Sequence, residues 1–302
     1  MSTLPVVAAI DGSDDSLRAL DRAVEEARLR AAPLRVAHVR QYAPWAQPDV
    51  LVAGPPDPDG DPVLDAARAH LGERDDTPAA EYAAPEGAPA VALPRLSADA
   101  QLLVLGSRGR GGFASLLLGS SSLAAARDAE CPVIVVPRPG REVQAPPFDL
   151  GTGPRVVVGL HVDSPDEVTL GFAFTEAALR DARLQVVAAY PWPVQTWMTP
   201  PGQVVAPVID EAAVASETRV LADGLLAPHR GRHPGVRAET HVLPGDAAGN
   251  LVAASRDADL VVVGRHRRRL LAPTRMMGSV AHAVLLHAAA PVAVVPPAPP
   301  EE

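Results

Sequence analysis

Lysine does not occur in the 302 residues, so every basic side chain other than histidine is arginine. That absence removes a P-loop lysine, a Schiff-base lysine and a Ser–Lys dyad in one step. Cysteine occurs once, at Cys131, which excludes an internal disulfide and redox chemistry by a cysteine pair. Cys131 is expected to pack as a small apolar residue beside a strand. No apolar run approaches the roughly 20 residues that cross a bilayer, and the first residues lack the basic region and long apolar core of a signal peptide. A cytoplasmic location is the expectation. The formal net charge is −9, and the one short basic run, at 265–269, is too small to make the chain a general binder of nucleic acid or anionic membrane. Catalytic signatures are missing too. There is no H-E-x-x-H or G-x-S-x-G, and the nine histidines do not pair with Cys or carboxylates at metal-ligand spacing. His282 and His287 do not stand three or four residues apart, the spacing that shares one helical face.

What is present is a glycine-rich stretch. Leu102-Leu103-Val104-Leu105-Gly106 reads as a strand, Ser107-Arg108-Gly109-Arg110-Gly111-Gly112-Phe113 as a loop, and Gly119-Ser120-Ser121-Ser122 opens an Ala-rich helix running to Asp128. Glycines let backbone N–H groups approach an oxyanion, and the free N–H groups and positive dipole end of a helix favour negative charge. The layout is that of a phosphate site.

The chain also repeats itself, which implies two domains. Val6-Val7-Ala8-Ala9-Ile10 recurs as Val156-Val157-Val158-Gly159-Leu160, Leu102 to Gly106 as Leu260 to Gly264, and Pro132-Val133-Ile134-Val135-Val136-Pro137 as Pro291-Val292-Ala293-Val294-Val295-Pro296. Each half reads as strand, helix, strand, long loop, helix, strand, helix, strand, glycine loop, helix, strand. Short Val/Ile/Leu runs alternating with helices imply a doubly wound parallel sheet covered on both faces. The expected domains are 1–140 and 154–298, with a linker at 137–154, Pro-rich loops at 42–62 and 191–207 and a disordered tail at 296–302. Ser13 or Asp14 is the expected cap of the first helix, which should end near Ala32. Ser164-Pro165-Asp166-Glu167 has the form of a capping box with Pro at the first helical position. Pro94 interrupts the helical stretch 88–97.

The spacing of Gly106, Gly109 and Gly119-Ser120 is G-x-x-G-x9-G-S. With the flanking first strand ending in Asp11 and the last strand after Cys131, it resembles the nucleotide-binding motif of the universal stress protein family. The resemblance implies two tandem Rossmann-like domains of the adenine nucleotide alpha hydrolase-like type, strand order 3-2-1-4-5, with ATP, with or without Mg2+, bound in the first. It implies adenine near Ala9 and Val39, ribose or adenine contacts from Asp11, and phosphates held by Gly106, Arg108, Gly109, Arg110, Gly119, Ser120, Ser121 and Ser122. Solvated arginines and simple capping serines are the alternative readings of the side chains in that set, and Asp11 reads equally as a turn residue after a strand. The resemblance further implies pairing of the two halves as an internal pseudo-dimer, with homodimerisation and a protein partner as further expectations.

Two rival motifs are weaker. Gly109 to Ala114 satisfies G-x-G-x-x-A, but the helix begins later and no acidic residue ends the next strand. Asp11-Gly12-Ser13-Asp14-Asp15-Ser16 is similar to the loop of adenylating ATP pyrophosphatases but lacks the leading Ser and second Gly. The second half departs from the pattern: His161 stands for Asp11, Arg267 for the middle glycine, and Gly278-Ser279 comes one residue late. Either its site is lost or weakened, which is the expectation, or the arginines at 265–269 replace backbone donors. The functional alternatives to an ATP-binding stress factor with little turnover are a slow ATP-hydrolysing or adenylating enzyme and a nucleotide-free scaffold.

Overall fold

The computed structural model describes residues 4–41, 60–109, 117–190, 210–265 and 277–298. The first half runs β1 (Val6–Ile10), α1 (Asp14–Leu29), β2 (Leu34–His38), α2 (Pro62–Gly72), β3 (Ala80–Ala83), α3 (Pro89–Leu96), β4 (Leu102–Gly106), α4 (Ser120–Asp128) and β5 (Val133–Val136). The second repeats it with β6 (Arg155–Leu160), α5 (Glu167–Leu179), β7 (Arg183–Tyr190), α6 (Glu211–Arg232), β8 (Ala238–Pro244), α7 (Ala247–Ala254), β9 (Leu260–Gly264), α8 (Ser279–His287) and β10 (Val292–Val295).

Strand order is β3-β2-β1-β4-β5-β10-β9-β6-β7-β8. Each half therefore has the order 3-2-1-4-5 with parallel pairing, as expected. The halves are fused where β5 and β10 pair antiparallel, Val292 opposite Val135 and Val294 opposite Val133, so that one sheet crosses the molecule. β1 and β4 are buried at every position, because a parallel strand with helices on both faces has no solvent side on which to alternate. One core lies under α1, α2, α5 and α6, and the other under α3, α4, α7 and α8. Burial pushes the Cys131 thiol up to about 12, in keeping with its place in that second core.

Local sequence explains most element ends. Ser13 caps α1, its hydroxyl accepting from Ser16 N at 3.2 Å. That helix stops at Leu29, earlier than expected, because Ala31 turns left-handed (φ 48°). The reading of Ser164 as a cap with Pro165 inside the helix is corrected. Asp166 is the cap: its Oδ1 accepts from Val168 N at 3.1 Å and Thr169 N at 3.3 Å, so α5 begins only after the proline. Pro94 sits inside α3; its missing N–H lies in the last turn of an eight-residue helix, so few bonds are forfeited.

The segment after β5 packs on the second half, with the Phe148 ring stacked on His241 at a centroid distance of 3.9 Å. Elsewhere between the halves, Glu26 and Arg30 of α1 meet Glu176 and Arg180 of α5. Each arginine donates to both glutamates, and Arg22 adds a third cation on Glu26 at 2.7 Å. All four side chains of this quartet are nearly or fully buried. Burial pushes the Glu26 carboxyl up, and Arg22, Arg180 and Arg30 more than offset it, holding the group below the usual carboxylate range.

Candidate functional site

The order of strands reverses between β1 and β4, and in such sheets the carboxyl ends of the strands at that point open a crevice. A cleft of about 860 Å³ occupies it. Ala9, Asp11, Val39, Gly106, Arg108, Gly109, Gly119, Ser120, Ser121 and Ser122 all line this one cleft. Arg110 lies outside the described residues. The register explains the gathering: Ala9 pairs with Ala37 on one side and with Leu105 on the other, so the ends of three strands meet at one level.

At one end of the cleft stands α4. Gly119 is its N-cap and no side chain caps it, so the first-turn N–H groups carry the unsatisfied donors and the positive end of the dipole toward whatever fills the cleft. The loop is tied in place by backbone bonds, Gly119 N to Ser107 O at 2.7 Å and Ser107 N to Val136 O at 2.8 Å. Ser122, which also lines the cleft, has a framework part: its buried hydroxyl donates to Gly106 O at 2.8 Å and staples α4 to the end of β4.

The three motif glycines differ in what requires them. A Cβ on Gly106 would fall 2.8 Å from the carbonyl oxygen of Asp15, so β4 could not end against α1 with any other residue there. A Cβ on Gly109 would fall 2.3 Å from Asp11 Oδ2, which places the loop backbone directly against the strand-end carboxylate. On Gly119 the nearest atom would be 3.6 Å away, an ordinary contact, so a Cβ meets no clash there. Asp11 is held by its own turn. Its Oδ1 accepts from Ser13 N at 3.0 Å and Ser13 Oγ at 2.6 Å, around Gly12 with φ 77°, so the turn reading and an oriented carboxylate hold together. Gly109→Val is accordingly expected to swing the Asp11 carboxylate out of place as well as crowd the loop. Its loss of ligand binding should match that of the Gly109→Val/Asp11→Ala double variant, and additive losses would show that the two residues act separately.

Two cleft residues escaped the sequence reading. His38 Nδ1 lies 2.7 Å from Asp61 Oδ2, and Asp61, 3% exposed, caps α2 through Val63 N at 3.0 Å and Leu64 N at 3.2 Å. Burial pushes Asp61 up, while the His38 hydrogen bond and the two N–H donors outweigh it and hold the carboxyl below its ordinary value. Asp61-Pro62 is itself an N-cap followed by proline at the first helical position, a signal that marks the start of α2. Nothing in it points to His38, which comes from β2. The flank of the cleft toward α3 is apolar, with Val39, Leu93 and Leu105.

The second half is different. His161 is exposed where Asp11 stands, and 266–276 lie outside the described residues. Arg265, expected as a candidate anion ligand of its own loop, is instead turned into the first half, where its guanidinium donates to the carbonyls of Ala126 and Arg127 at the end of α4. Those carbonyls have no partner within the helix, and a buried cation there satisfies them and opposes the dipole. Among the described residues no three His, Cys, Asp or Glu side chains gather as a metal site, and no helix is long and apolar enough to cross a membrane.

The sequence profile of the universal stress protein family matches residues 3–137 and 154–296. Universal stress protein Rv2005c of Mycobacterium tuberculosis is 31% identical over 297 residues, covering 96% of each chain. Universal stress protein Rv2623 of the same organism is 31% identical over 311 residues, covering 97% of this chain and 96% of its own. The crystal structure of a putative universal stress protein from Pseudomonas aeruginosa superposes with a TM-score of 0.63 at 16% identity, covering 98% of this chain and 94% of that one, a likeness of fold. Two matched repeats spanning nearly the whole chain, on one fold with the same strand order in each half, make this protein a tandem member of the universal stress protein family.

Proposed function

We propose that the first half binds one adenine nucleotide, ATP, and that the chain acts in the cytoplasm as a nucleotide-dependent stress-response factor, through a protein partner, with little or no turnover. The observation that carries this reading is the convergence, in one cleft, of an uncapped helix start, a loop glycine pressed against Asp11 and an apolar flank. The cleft volume falls within the roughly 300–1,000 Å³ typical of small-molecule sites. In this reading α4 and the loop from Gly106 to Ser121 take the phosphates, Arg108 adds a guanidinium fork, Asp11 accepts from the ribose, and Ala9 and Val39 face the base. Mg2+ would accompany the phosphates rather than occupy a carboxylate cage.

The His38–Asp61 pair gives the hydrolytic alternative its one specific support, since a histidine oriented by a buried carboxylate is how a general base is commonly built. It belongs to β2, however, two strand spacings or about 10 Å from β4 and the anion end of the cleft. Calorimetric titration should give near one ATP per chain. With saturating ATP and Mg2+, turnover should lie far below the roughly 1–10³ s⁻¹ of ordinary enzymes. A rate within that range that falls in His38→Gln would replace the binding reading with the enzymatic one, and a chain that binds no ATP would leave the scaffold.

A further inference from the structure

The helix that presents its start to the cleft belongs to the first half, yet it is held from the second. At its far end Arg265, 9% exposed and the first residue after β9, donates to Ala126 O and Arg127 O, the last carbonyls of α4. Just ahead of its near end, Arg141 Nη2 donates to Leu117 O at 2.9 Å, two residues before the Gly119 cap. The other nitrogen of the same guanidinium, Nη1, donates to Ala288 O at 3.0 Å and Leu285 O at 3.5 Å, the carbonyls that close α8. Arg141 therefore spans from the phosphate loop to the second half, and every acceptor it uses is a main-chain carbonyl. Burial and the nearby Arg108 guanidinium press against its charge, a like-charge crowding at the edge of the loop that an arriving anion would relieve.

We propose that Arg141 and Arg265 are positioning residues, and that the second half, with its altered nucleotide motif, serves as the mount that sets α4 of the first half and the turn from Leu117 to Gly119 that leads into it. The inference rests on the nucleotide reading above and adds which part of the ligand the mount governs. A helix start binds an anion only as well as its N–H groups are aimed. Displacing α4 by a fraction of an ångström changes contacts to phosphate and leaves Ala9, in β1, and Val39, just after β2, where they were, whereas Leu93 of α3 packs against α4 and moves with it. The mount thus acts on phosphate recognition and not on base recognition.

The test is titration of the full-length chain with ATP, AMP and adenosine, for the wild type, Arg141→Gln, Arg141→Lys and Arg265→Met. The wild type should favour ATP over adenosine. In Arg141→Gln and Arg265→Met the ATP affinity should fall about tenfold, the worth of a charge-assisted contact, with adenosine affinity unchanged and AMP intermediate. Arg141→Lys, which keeps the charge but not the two-way fork, should recover only part of the loss. Because Arg265 is buried, Arg265→Met could fail to fold. Arg141 is partly exposed, and its variants then decide alone. Equal losses for ATP and adenosine, or no loss in either, overturn the mounting role while the nucleotide reading stands. A wild type that binds neither ligand overturns both.

Discussion

Glu26→Ala is expected to remove about 3–5 kcal/mol of stability, the loss seen when one partner of a buried ion pair is deleted and the others are left charged in a dry environment. Glu26 is 0% exposed and takes three arginines, and its removal would leave Arg30 and Arg180 sharing Glu176 alone. Replacing the whole quartet with apolar residues of similar volume should cost far less, because the desolvation of four charges disappears with their attraction. Urea unfolding at neutral pH compares the two, and a single variant within about 1 kcal/mol of wild type would show that water reaches the quartet. The pH dependence has a definite sign. The folded carboxyl is held below its ordinary value, so its contribution is complete above the unfolded value of about 4.3 and disappears as pH falls through the folded one. The stability gap between wild type and Glu26→Gln should therefore narrow in acid, and a gap that widens there would contradict the assignment.

The second large effect is on binding. Asp11→Ala should lower ATP affinity by roughly 10- to 100-fold, the worth of a charged hydrogen-bond acceptor aimed at a ligand hydroxyl. Gly119→Val should be at least as damaging while costing the fold only about 1 kcal/mol, as a poorer helix cap does, since a Cβ there meets nothing closer than 3.6 Å. Gly106→Ala supplies the contrast: its Cβ meets the Asp15 backbone at 2.8 Å, so it should destabilise the fold by about 1–3 kcal/mol. If Gly119→Val binds ATP as the wild type does, phosphate does not approach that turn. Two equivalent sites insensitive to salt would mean that Asp11 and Gly109, which the second half lacks, are not needed.

Ten of the eleven nucleotide-site residues read from the sequence meet in one cleft because their signal is local: a strand end, a glycine loop and a helix start within some seventeen positions, plus two strand ends set by the repeat. The element order was legible for the same reason, through runs of Val, Ile and Leu separated by helical stretches. Ser164 misled because a capping pattern was present two residues too early, and Asp166 supplied the better-placed carboxylate. The interactions that were not legible are long-range. Arg141 and Ala288 are 147 positions apart and Arg30 and Glu176 are 146 apart, and no local pattern marks an arginine as a bridge rather than a solvated side chain. The quartet did leave a trace, since Glu26 and Arg30 recur as Glu176 and Arg180 in the register of the first strands.

The antiparallel junction of β5 with β10 has a consequence for how such a protein can change over time. When two like subunits meet by collision, their union weakens on dilution and every substitution strikes both at once. Carried on one chain, the union is held at a fixed effective concentration, so the melting temperature should not follow protein concentration. Each copy is also free to vary alone. His161 and Arg267 record that freedom: one copy keeps Asp11 and Gly109, and its twin carries other residues in their places.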